Sequence, residues 1–141
     1  MSNSIIQSGM RNFEKRRQII VDFYRQWRKQ WLADHPGQRE PRVYNYSLKD
    51  YIYVTKLSRN ETAFHSVYTL TTMRMIKNHF NEILRYAVAK DYIMPKNNSH
   101  QSGYYKLIIM ERKIKNIGAA KLTVGVRKCD EKKEQYCITS I

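Results

Sequence analysis

Acidic residues are scarce in this sequence. Twelve Asp and Glu stand against 26 Lys and Arg, which gives a formal charge of +14 and a pI near 9.9. Cysteine is scarcer. Cys129 and Cys137 form no CxxC pair, and no histidine follows either at zinc spacing, so two ordinary reduced thiols are expected. The four histidines (His35, His65, His79 and His100) spell no metal motif, and no motif implies a cofactor. No apolar run reaches the roughly 18 residues that suggest a membrane span. The opening MSNSIIQSGMRNFEKRR is polar where a signal peptide needs its apolar stretch, so a cytoplasmic protein is expected.

What is present suits one folded unit. The chain has 141 residues, of which 42% are hydrophobic. That is enough to bury a core, and too apolar for a disordered tail. Residues 1–34 hold seven basic and three acidic side chains, and residues 35–141 hold nineteen and nine. The positive excess is therefore spread along the chain. A field of that sign concentrates phosphates near the surface and speeds encounter with them. Nucleic acid is the expected partner. An acidic protein is the alternative, and no membrane is expected.

The pattern along the chain predicts an α+β layout. Phe13, Ile20, Tyr24, Trp27 and Trp31 recur on one helical face, so a basic amphipathic helix is expected over 10–33 within an N-terminal segment 1–34. Arg16, Arg17, Arg25 and Arg28 lie off that stripe and are candidate phosphate contacts. A polar connector with two prolines, 35–42, separates this arm from an α+β domain at 43–141. A strand is expected within 43–57, a loop or helix start at 59–62, and a strong helix over about 71–90 capped by Thr69 or Thr71. After Pro95 and a polar loop, three runs read as strands: 104–113, 121–128 and 135–141. Short turns join them into an antiparallel meander with helices on one face.

Several strings in the second half carry a resemblance. They are the helix IxxxFxxILxxAV at 76–88, Tyr104-Tyr105-Lys106, the run Ala120 to Val124, and Gln135-Tyr136-Cys137-Ile138-Thr139. Their order resembles the phage- and mobile-element-associated domains of the barnase/EndoU/colicin/RelE-like superfamily, over roughly residues 49–141. That resemblance implies a metal-independent endoribonuclease of toxin type, with RNA as its target. Such chemistry needs a base for the 2′-hydroxyl, an acid for the leaving oxygen, and cations or hydroxyls for the charged phosphorane.

The expected catalytic residues are His65, Lys121, Thr123, Arg127 and Thr139. Lys106 and Tyr136 join the four arginines as nucleic-acid contacts. His79 falls on the helix and His100 in the polar loop, which leaves His65 as the single expected base. Lys121, Thr123 and Arg127 share a strand face by alternation, so one phosphate is expected to touch all three.

Two further functions fit the same residues. A non-catalytic nucleic-acid binder would grip phosphates with the basic helix and stack bases on some of its 11 tyrosines. An interaction module or inhibitor would dock an acidic protein through Trp27 and Trp31.

Overall fold

The computed structural model describes residues 2–66 and 69–141. Helix α1, Ser2–Asp34, begins earlier than the stripe alone predicts. Ile20 and Tyr24 are buried, and the rings of Phe23, Tyr24 and Trp27 meet Phe80 at 5.2, 5.1 and 5.1 Å. The aromatic stripe thus docks α1 on the common core. The helix stops where Pro36 cannot continue it and Gly37 turns the chain at φ 84°.

The expected single strand in 43–57 is a hairpin. Strand β1, Arg42–Asn45, and strand β2, Asp50–Tyr53, pair antiparallel, and Lys49 takes a left-handed φ of 53° between them. Helix α2, Lys56–His65, follows at once. Thr55 caps it, and the reciprocal bonds between Thr55 and Ser58 satisfy its first amides. His65 is therefore the last residue of a helix. Helix α3, Leu70–Tyr86, is capped by Thr69 and buries Met75, Ile76, Phe80, Ile83 and Leu84.

Helix α3 ends four residues short of the expected position 90. Ala87 has ψ 142°, and strand β3, Val88–Ile93, begins there. Periodicity carried the helical pattern through Ala87 and Val88. Pairing with strand β4, Tyr104–Ile114, overrides it for Val88. Strand β5, Gly118–Arg127, and strand β6, Lys133–Ser140, complete a four-stranded antiparallel meander in place of the expected three.

The fold is α+β. One six-stranded sheet has the order β1-β2-β6-β5-β4-β3. Strands β2 and β6 run parallel but pair through only Ile52↔Lys133 and Tyr53↔Glu134. Past Glu134, one edge of β6 has no strand beside it among the described residues, and α2 covers it. The Ser58 hydroxyl donates to the Gln135 carbonyl, and the Ser66 hydroxyl donates to the Ile138 carbonyl. On one sheet face Ile108, Met110, Leu122, Val124 and Ile138 pack in a core with Ile20 and Tyr24 of α1 and with α3. Tyr24 anchors α1 from within, its hydroxyl bonded to Gln135 at 2.5 Å and to Thr62 at 3.2 Å.

Candidate active site

The sheet face away from that core carries the chemistry. Register places Lys121 directly opposite Thr139, and Thr123 opposite Cys137, with Ile109 completing the second row. Because α2 lies along the edge of β6, its residues Glu61, Phe64 and His65 form a wall beside these rows. A second wall comes from the loop between β3 and β4. Asn98 folds that loop by accepting from the amides of His100 and Gln101, both at 3.0 Å. Together they enclose a cavity of about 790 Å³.

Glu61 is part of its wall. Only 8% of its side chain is exposed, and it meets two imidazoles: His100 Nδ1 at 2.7 Å and His65 Nε2 at 3.3 Å. The Glu61–His65 contact follows from their i, i+4 spacing on α2. The His100 contact is long-range and depends on the loop. Each imidazole turns one nitrogen toward the carboxylate, which fixes its tautomer and leaves the other nitrogen free. Both rings stay accessible, with 47% of the His65 side chain and 63% of the His100 side chain exposed.

Two neighbours have altered acidity. Burial, and then the Glu61 charge, push the Cys137 thiol up to about 12, so it is a protonated wall residue and a poor nucleophile at neutral pH. Burial raises the Tyr136 phenol, with the Glu61 charge adding to it and a hydrogen bond from Gln101 opposing it. That phenol stays a donor at neutral pH. Among the described residues, no three His, Cys, Asp or Glu side chains are disposed to hold a metal ion.

The expected residues divide by place. His65, Lys121, Thr123, Thr139 and Tyr136 all line the cavity. Arg127 does not. Alternation puts it on the face of Lys121, but six residues of strand span about 20 Å, so one phosphate cannot bridge them. Arg127 is instead bound to Asp130 and lies 3.8 Å from Glu134, and its hydrogen bond holds Asp130 well below the usual carboxylate range. The shared-phosphate expectation is therefore corrected to Lys121 with Thr123. Lys106 stands 4.6 Å over the Tyr92 ring at the β3–β4 edge.

On α1, the Arg17 guanidinium lies 5.8 Å from the Phe64 ring, at the cavity rim, and Arg16 lies 5.8 Å from Phe13. Arg25 and Arg28 line a separate cleft of about 370 Å³ with Lys56 and Arg59 of α2.

Sequence reasoning missed His100 and Glu61. One signal was available for Glu61, the Glu-x-x-x-His spacing on α2. None placed His100, because its loop has no period. Among the described residues no helix is long and apolar enough to cross a membrane. No protein-family model matches the chain, and neither a curated protein nor a solved structure matches it.

Proposed function

We propose that the protein is a metal-independent endoribonuclease acting in this cavity. One observation carries the reading. A buried carboxylate holds two accessible imidazoles over a floor that presents Lys121, Thr123 and Thr139. Two imidazoles supply the base and acid that transphosphorylation needs. The RNA 2′-oxygen attacks the adjacent phosphorus while its proton passes to the free Nε2 of His100. The bond from phosphorus to the 5′-oxygen breaks, and that oxygen takes the Nδ1 proton of His65, which acts as the imidazolium with its Nε2–H on Glu61. The products are a 2′,3′-cyclic phosphate and a 5′-hydroxyl end. The Lys121 ammonium and the hydroxyls of Thr123 and Thr139 neutralise the equatorial oxygens, and Tyr136 supplies a further donor.

The test is cleavage of a labelled RNA in EDTA, with end-group analysis. Cyclic phosphate ends are expected, and a single 2′-deoxy substitution at the cut position abolishes that cut. His65→Ala, His100→Ala and Lys121→Ala each lower kcat/KM by roughly 10²–10⁴. Intact RNA, or cleavage that survives in the double histidine variant, overturns the reading.

A second reading, RNA held and not cut, draws on the cleft of Arg25, Arg28, Lys56 and Arg59. It is favoured if salt-sensitive binding occurs with no product at any pH.

A further inference from the structure

At the sheet edge opposite β3, the β1–β2 hairpin alternates. Val43, Asn45 and Ile52 point into the protein and are buried. The other face carries Arg42 opposite Tyr53 and Tyr44 opposite Tyr51. An outward face of a surface hairpin is ordinarily polar. This one is aromatic, and it continues into Tyr46 and Tyr86. Tyr44, Tyr46, Tyr51 and Tyr86 are all exposed, Tyr46 to 60%.

The rings are ordered against one another. Tyr46 and Tyr86 lie 5.6 Å apart and 19° from parallel, and Tyr44 stands edge-on to Tyr46 at 5.5 Å. Beside them opens a cleft of about 480 Å³ whose lining includes Trp31, Tyr44, Tyr46, Arg42 and Arg85, with Asp34 as its one acidic residue. It shares no lining residue with the two-histidine cavity. Neither Arg42 nor Arg85 has an acidic partner among the described residues, and Arg42 is held in place by the Gln38 side chain and the Glu40 carbonyl.

Exposed tyrosine rings, beside guanidinium groups that have no acidic partner among the described residues, match one ligand chemistry. Unpaired bases need ring faces, and the phosphates that link them need cations. A duplex hides its base faces, and an acidic peptide would use the arginines but leave the rings without a role. We propose that Tyr44, Tyr46 and Tyr86 form a stacking platform for single-stranded nucleic acid, with Arg42 and Arg85 on its phosphates. Ring faces do not sense the 2′-hydroxyl, so the platform takes DNA and RNA alike and stands whether or not the cavity cuts.

Fluorescence anisotropy with a labelled single-stranded oligothymidine tests this, since that probe has no 2′-hydroxyl to cleave. The triple variant Tyr44→Ala/Tyr46→Ala/Tyr86→Ala is expected to bind at least ~10-fold more weakly, as loss of one or more stacked bases implies. The triple Tyr→Phe variant keeps the rings and is expected to bind within about 2-fold of the parent. It also controls for folding. Cleavage of a diribonucleotide is expected to be unchanged in both variants, so failure of the platform and failure of the cavity reading are separately visible. Equal binding by the parent and the alanine variant overturns the proposal. So does an equal loss with phenylalanine, or selective loss of binding to polyglutamate in place of the oligonucleotide.

Discussion

A carboxylate as buried as Glu61 is stable only if its charge is compensated. Its partners are His65, His100 and the Tyr136 phenol, so it fixes ring orientation without needing to touch substrate. Glu61→Gln keeps the shape and one acceptor but removes the charge that selects both tautomers. It is expected to lower kcat on a diribonucleotide by up to about 10⁴-fold, the loss when the carboxylate that sets a catalytic histidine's tautomer is replaced by its amide. KM and the thermal midpoint should change little, because replacing a buried charge by a neutral isostere relieves desolvation as it removes attraction. A loss confined to KM would instead make Glu61 a substrate contact. Much at this scale was legible. His65, Lys121, Thr123 and Thr139 were expected and share one cavity. Their convergence rests on strand alternation plus a helix end. Arg127 shows the limit of alternation, which gives a face but no distance. His100 shows the limit of local pattern, because the bonds of Asn98 and Gln101 and the contact with Glu61 bring it back over the sheet.

The element on which the site depends is α2. It stands in for a missing strand along β6, and Ser58 and Ser66 supply the hydrogen bonds that a neighbouring strand would have made. Both serines are buried, so removing either hydroxyl leaves a β6 carbonyl without that partner. Ser58→Ala and Ser66→Ala are each expected to cost about 1–3 kcal/mol in urea unfolding. Ser66→Ala should also slow cleavage, because Ser66 follows His65 and pins the end of the helix to Ile138. Unchanged stability in both variants would mean that water or backbone movement satisfies β6 without α2. In the sequence, residues 59–62 read as a loop or helix start. The stretch is short, and its buried side include Ser58, Glu61 and Thr62. A helix that buries polar residues against a strand edge lacks the apolar stripe by which helices are read. β3 was missed for the converse reason. Its exposed residues carry no alternation, and pairing with β4 alone makes it a strand.

Over the whole molecule, the charge of +14 resolves into places. The cavity has Lys96 and Lys121, the platform has Arg42 and Arg85, and the cleft between α1 and α2 has Arg25, Arg28, Lys56 and Arg59. In that last cleft no lining residue is acidic, and none of its four cations has an acidic partner among the described residues. α2 joins it to the cavity, since Arg59 lines the cleft and the next residue, Asn60, lines the cavity. A strand crossing the cleft would reach the histidines by passing over one helix. Each phosphate so held releases a counterion, and for single strands each contributes about 0.7 to the slope of log K against log salt. Replacing Arg25, Arg28, Lys56 and Arg59 together by Gln is therefore expected to make that slope shallower by roughly 2–3. Substituting the platform tyrosines should weaken binding and leave the slope nearly unchanged, because stacking releases no counterions. Anisotropy titrations between about 50 and 300 mM salt separate the two. A slope that the four substitutions leave intact would place the path of the strand elsewhere and make the cleft an ordinary solvated basic surface.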